Sequence, residues 1–406
     1  MPTDHALLAP SASKRWLACT PSARVEALLP DRVTPYAEEG TIAHAVAENL
    51  LYYYKAAELI AVYDDPWEHF NEFAIGRPLL NGLRAAAADK GFDFREILET
   101  VHDYYVKVVW EDFVKARAID KDATLLVEQR VDLSDFVPES FGSSDAIIIF
   151  GRFLKVYDLK YGRGVRVSAK DNPQMRLYAL GALWGPGETY PIDAIAMTII
   201  QPRLHSVSLD TIGVQELAQW TAEVLVPAAH KAFEGVGDFV PGEHCEFCRA
   251  KATCGALAEY TSRVVASYGP TEGLSAEEIG AVLEKLPVIE SWIAGVRQHA
   301  QRTLEDGGSI PGWKLVEGRS TRKILKEAEA RQILQQAGFQ QWDYDKIELR
   351  GITDLTRLVG GAKTFNTLLG HLVERQPGKP ALAPESDPRA PYSPASSAEA
   401  SFGEML

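Results

Sequence analysis

The apolar positions of this chain change period along its length. From Tyr36, YAEEGTIAHAVAENLLYYY repeats at helical spacing, with Ala43, Val46, Ala47, Leu50 and Leu51 on one stripe and Thr41 available as an N-cap. Ile97, Val101, Tyr105 and Val108 share one face of a helix predicted over Ile97–Ala116. After Thr124 the period falls to two, and LLVEQRVDL, SDAIIIF and FLKVYDLKY read as three successive strands. Gly151-Arg152, between the second and third, is short enough for a hairpin. Helical spacing resumes over Pro173–Leu183, with Pro173 suited to a first turn. Ala194–Ile200 reads as a buried strand followed by the polar QPRLHS, and Val214–Phe233 as a helix. This order predicts an α/β fold with a central sheet flanked by helices.

Beyond the last cysteine the character changes. Ser275 and Glu278 form a capping box, and Leu274 with Ile279 a hydrophobic staple, so a helix starts there and runs toward Leu304, with Pro287 as a kink or break. A strand-like stretch at Trp313–Val316 and helices near Glu327–Ala337 and Ala362–Glu374 predict a smaller, mostly helical second domain. From Gln376 onward Pro, Ser, Ala and acidic residues dominate, which predicts a disordered tail. The expected organisation is therefore 1–260, 261–375 and a tail over 376–406.

The net charge of -14 over 406 residues argues against a surface built for indiscriminate nucleic-acid binding, but it leaves room for a local basic groove. Between Gly151 and Arg176, Arg152, Lys155, Lys160, Arg163, Arg166, Lys170 and Arg176 face only Asp158 and Asp171 in the count of charges. No apolar run approaches the length of a membrane span, and the N-terminus carries no long apolar segment, so a cytoplasmic protein with reduced thiols and no membrane partner is expected.

The candidate chemistry centres on Asp158-Leu159-Lys160, thirteen residues after Asp145. Period-two geometry sends Asp158 and Lys160 to one face, and if the two strands are neighbours, Asp145 and Asp158 can hold one hard divalent cation beside the Lys160 ammonium. His44, on the early helix, can add an imidazole. Gln174 and Tyr178, four apart, share a helix face just after the triplet. Glu128, in the preceding strand, can point toward the same site or lie on the surface, and its pattern favours the surface. Cys245, Cys248 and Cys254 form C-x2-C-x5-C, with Cys19 far upstream, and four thiolates suit an iron–sulfur cluster or a tetrahedral zinc site.

Taken in order, GTIAH with His44, GSSD with Asp145, DLK with Asp158 and Lys160, and QMRLY with Gln174 and Tyr178 resemble the RecB-type branch of the PD-(D/E)XK nucleases. Cys19 with Cys245, Cys248 and Cys254 resembles the iron–sulfur staple of the AddB and CRISPR-adaptation nucleases of that branch. The whole looks like its phage and prophage members, over about Ser11–Tyr260. The resemblance implies a restriction-endonuclease-like core with a central mixed sheet, and a Mg2+- or Mn2+-dependent DNA exonuclease of recombination or DNA processing in a bacterial host. His44, Asp145, Asp158 and the Leu159 carbonyl would hold the metal, and Lys160, Gln174 and Tyr178 would complete the catalytic set. The cysteines would hold a [4Fe-4S] cluster, with zinc as the alternative. DNA, and phage recombination or single-strand-binding proteins, would be the partners. Glu128 matches an acidic position often found before the first metal Asp. Ser144 stands where the superfamily's name-giving Pro would precede Asp145. A catalytically silent DNA-binding accessory protein of the same fold is the competing expectation.

Overall fold

Alternation along three strands puts an apolar set on each face of a sheet, and the chain surrounds that sheet with helices. The computed structural model describes residues 6–30, 35–60, 77–267, 273–316, 335–336, 356 and 361–373. Helices α1 (Ser13–Ala18), α2 (Ser22–Ala27), α3 (Pro35–Ile60), α4 (Arg77–Asp89), α5 (Phe94–Val101) and α6 (Lys107–Ile119) precede the sheet, a π-type turn at His102–Val106 joining the last two. Strands β1 (Thr124–Asp132), β2 (Phe141–Phe150) and β3 (Phe153–Leu159) follow, then α7 (Pro173–Trp184), β4 (Ala194–Gln201) and β5 (Ser206–Gly213). Helices α8 (Val214–Trp220) and α9 (Val226–Glu234), the latter after a second π-type turn, lead to α10 (Gly255–Ala266), α11 (Ala276–Glu305) and α12 (Ala362–Leu369).

The sheet runs β1-β2-β3-β4-β5. The β3–β4 pair is parallel and the other three pairs are antiparallel, making the sheet mixed as expected. A parallel pair needs a crossover, and α7 lies in that connection. On one face Ile147, Ile149, Leu154 and Val156 pack with Met175, Leu177 and Leu180 of α7. On the other, Leu125, Ile148 and Phe150 pack with Val46 and Leu50 of α3 and Val101 of α5. Helix α7 lies so close to β1 that a Cβ at Gly181 would stand 2.7 Å from Cβ of Val131. Gly151, with φ of 53°, turns the β2–β3 hairpin in a conformation that favours glycine.

One reading of the pattern is corrected and others are sharpened. Thr41 does not cap α3, which begins at Pro35; its hydroxyl donates to the Ala37 carbonyl inside the helix. Strand β5 follows the polar QPRLHS stretch, and its Val207 and Leu209 face solvent, so no buried run announced it. Pro287 does not break α11, and the Ser275–Glu278 capping box forms as the spacing predicts. By contacts the chain divides at Leu315/Val316. The reason is that α11 buries Val288 against Cys245 and Leu257, and Lys251 Nζ donates to Ser291 Oγ at 2.7 Å.

In the second unit the helix Ala362–Leu369 buries Phe365 and runs into a 3-10 turn at Gly370–Leu372. Apart from 335–336, the helix expected near Glu327–Ala337 lies outside the described residues, as does the tail from 376. Among the described residues, no helix is long and apolar enough to cross a membrane.

Candidate metal and active site

Two ladder registers set three carboxylates in a row. Strand β1 pairs Val127 with Ala146 and Gln129 with Ser144, which places Glu128 opposite Asp145. Strand β2 pairs Ala146 with Tyr157, which places Asp145 opposite Asp158. Opposed residues on adjacent strands share a face with Cβ atoms about 5 Å apart, so the row concentrates negative charge. His44 reaches it from α3, with Nδ1 3.2 Å from Asp145 Oδ1. Ligand atoms of His44, Glu128 and Asp145 all lie within 4.8 Å of one another. Asp145 is oriented by the Leu159 N–H, which donates to its Oδ2 at 2.6 Å. Leu159 thus meets the site through its amide hydrogen.

Glu128 is the residue the pattern misjudged. It sits in mid-strand with φ of 46°, a left-handed conformation that is strained for any residue but glycine. The alternation of β1 reverses across it: Leu125 and Val127 pack on the α3 side, whereas Val131 and Leu133 pack on the α7 side. A regular strand would not reverse so, and no sequence period reports it. The acidic position in the resemblance is the signal that pointed to Glu128.

The second half of the site is a hydrogen-bonded chain. Lys160 follows the end of β3 and continues the pairing, its N–H donating to the Ile200 carbonyl. Its Nζ lies 2.9 Å from Asp158 Oδ2 and donates to Gln174 Oε1 at 3.0 Å. Gln174 Nε2 donates to Asp158 Oδ1 at 2.9 Å and to the Tyr178 hydroxyl at 3.2 Å. Asn172 caps α7 by accepting from the N–H groups of Gln174 and Met175, which fixes the start of the helix that presents both side chains. Asp145, Asp158, Lys160, Gln174, Tyr178 and His44, all anticipated, are thus brought to one place.

The donor set fits a hard divalent cation. Asp158 Oδ2 is buried and takes no well-aligned hydrogen bond despite the nearby ammonium, leaving a lone pair free. Burial pushes the Asp158 carboxyl up, opposed by Lys160 and reinforced by Asp145. Burial likewise raises Glu128, with Asp145 adding to it, to about 7. For His44, burial acts downward, but the carboxylates of Asp145, Asp158 and Glu128 outweigh it and hold the imidazolium up to about 9. Such a cluster relaxes when a cation replaces the protons.

A pH dependence follows. Both folded pKa values lie above the ordinary ones, so the folded state binds more protons. The His44 contribution is complete below its ordinary 6.5 and is lost as pH rises through about 9. That of Glu128 is complete below 4.5 and is lost through about 7. The thermal midpoint of metal-free protein should therefore fall between about pH 5 and about pH 9, and saturating Mn2+ should flatten that fall. Calorimetry across that range, with chelator or Mn2+, checks it; a metal-free midpoint that rises with pH would contradict the assignment.

The four cysteines line one cavity of about 330 Å³ together with Arg15, His244 and Leu257. Beside Cys19 runs a charge network: Ser22 Oγ accepts from Arg15 and donates to the Cys19 carbonyl, Arg15 Nη2 lies 2.9 Å from Glu26 Oε2, and Glu26 Oε1 accepts from the Arg249 N–H at 2.6 Å. Burial pushes the Cys248 thiol up to about 11 and raises Cys245 as well. The sulfurs are not gathered at the spacing of a single ion. A tetrahedral zinc would need them about 3.8 Å apart, and among the described residues the one group within 4.8 Å is His44, Glu128 and Asp145.

The basic neighbourhood of the triplet is largely cancelled by partners from elsewhere in the chain. Arg152 pairs with Asp193, Lys155 with Asp112, Arg163 with Glu96, and Arg176 with Asp171 and Glu216. With Lys160 on Asp158, two of the seven cations, Arg166 and Lys170, remain without an ion pair within 4.0 Å among the described residues.

Two comparisons with known proteins gave matches. The family described as "Protein of unknown function (DUF2800)" matches residues 5–390. A solved structure described as "Crystal structure of SSO0001" is similar at 13% identity over 61% of this chain and 95% of that one. Its TM-score is 0.22, at which no residue correspondence is drawn.

Proposed function

We propose that this chain, which belongs to that family over nearly its whole length, is a RecB-type, Mg2+- or Mn2+-dependent deoxyribonuclease. In this reading it is an exonuclease that processes phage or prophage DNA. One observation carries the reading: the Glu128–Asp145–Asp158 row with His44 at one end and the Lys160–Gln174 pair at the other. His44, Glu128 and Asp145, with Asp158 beside them, would hold the metal. Carboxylate oxygens in this number suit Mg2+ or Mn2+ better than softer ions. Bound there, the cation would supply Lewis acidity toward the phosphoryl oxygen and toward the attacking water.

The rest is done by the chain's own groups. Lys160 orients the water and offsets negative charge building on the phosphoryl oxygens, while Gln174 locks that ammonium against Asp158. Tyr178, whose hydroxyl burial pushes well up, stays neutral and fixes the Gln174 amide. For the cysteines, the wide sulfur spacing and the space beside them favour an iron–sulfur cluster over zinc, acting as a tie between the N-terminal helices and the Cys245–Cys254 segment. Iron and sulfide assays on anaerobically purified protein check this.

The test of the activity is degradation of end-labelled single- and double-stranded DNA. Cleavage should require Mn2+ or Mg2+ and stop on chelation. DNA binding with no cleavage of any strand type in either metal would overturn the enzyme reading in favour of a silent binding module.

A further inference from the structure

We propose that Arg130 grips a nucleic-acid strand at a phosphate adjoining the scissile one; this rests on the nuclease reading of the same site. The cavity that holds His44, Glu128 and Asp145, about 680 Å³, is also lined by Arg130, Phe141 and Ser143. That volume is within the range of pockets that take a small molecule, about 300–1,000 Å³, so it suits a nucleotide or two of one strand.

Arg130 lies two residues beyond Glu128 on β1 and lines the same cavity. Its guanidinium sits 3.9 Å over the Phe141 ring. Stacking engages a face of the guanidinium and restrains the side chain, while the N–H groups stay in its plane, where a phosphate can accept two of them at once. Among the described residues Arg130 makes no ion pair within 4.0 Å. By contrast Arg203, also stacked on an aromatic ring, is buried against Glu39 and Glu96 and has no charge left for a ligand. With five of the seven cations around the triplet already paired, Arg130 is the unpaired cation that lines the carboxylate cavity among the described residues.

The experiment uses the full chain with fluorescein-labelled oligo-dT and Ca2+ in place of Mn2+, so that binding is read by anisotropy across a salt series. Arg130→Gln should bind about tenfold more weakly and reduce the log–log salt slope by about 0.7, the loss of one phosphate contact on a single strand. Arg130→Lys should keep most of the slope yet bind several-fold more weakly, because it keeps charge and loses the fork. With Mn2+, Arg130→Gln should raise KM about tenfold and leave kcat nearly unchanged, as expected for uniform binding. Wild-type affinity, slope and KM in a folded Arg130→Gln protein that still cleaves DNA would overturn the proposal and leave the nuclease reading standing. A wild-type chain that binds but never cleaves, with binding weakened in Arg130→Gln, would support the phosphate contact and sink the nuclease reading. A wild-type chain that does neither would overturn both.

Discussion

Lys160→Ala should fold normally, retain Mn2+ binding and lose DNA cleavage by about 10²–10³-fold, the range seen when one preorganised charge-stabilising donor is removed. The fold tolerates the change because the Lys160 side chain is about a third exposed and Asp158, whose carboxyl burial pushes up, can take a proton in place of the lost cation. Its two polar partners hold each other in its absence, since Gln174 Nε2 also donates to Asp158 Oδ1. What disappears is the positive charge beside the place where negative charge develops. Removing it also leaves the buried Asp158 without its cation, so the effect should appear in kcat more than in KM. End-labelled single- and double-stranded DNA with Mn2+, read alongside thermal melts and Mn2+ titration of the variant, decides the matter. Undiminished cleavage by a folded Lys160→Ala protein would sink the site assignment.

Glu26→Ala should destabilise the fold by about 3–5 kcal/mol, because it leaves Arg15 facing no carboxylate among the described residues in a largely buried setting. Arg15 and Glu26 are each about a tenth exposed at the side chain, and Arg249 joins them from the far side of the sequence. Glu26 also accepts the Arg249 backbone N–H through its side chain and an Arg249 guanidinium N–H through its backbone carbonyl. For a unit of this size the loss corresponds to a fall of roughly 5–8 °C in Tm. Urea melts of wild type, Glu26→Ala and Glu26→Gln would measure it. The cysteine cavity sits directly on this network, so iron content should drop with stability. A loss under about 1 kcal/mol would mean that the pair behaves as a solvated surface bridge.

The legible parts of the site were those carried by short periods. Asp145 and Asp158 could be placed side by side because each lies in a strand whose alternation is written in its apolar residues, with two residues between the strands. Gln174 and Tyr178 could be paired because four residues make one helical turn. Glu128 could not be assigned to the site from its pattern, because its role depends on a left-handed backbone and a reversal of facing that neither period contains. The basic cluster around the triplet was misread for a related reason: its neutralising carboxylates, Asp112, Glu96, Asp193 and Glu216, come from helices and strands distant in sequence.

The sequence by itself determined which residues could form strands and helices, that the fold is α/β, and which side chains were available for metal and phosphate chemistry, since these depend on local spacing and side-chain type. Only the tertiary structure decided that Glu128 joins His44 and Asp145, that Arg130 rather than the lysine- and arginine-rich loop lines their cavity without an ion pair, and that α11 belongs with the cysteines. Those outcomes turn on pairing register, on one strained dihedral angle and on contacts between segments up to 223 residues apart. Such contacts are set by the packing of the whole chain, which no window of sequence contains.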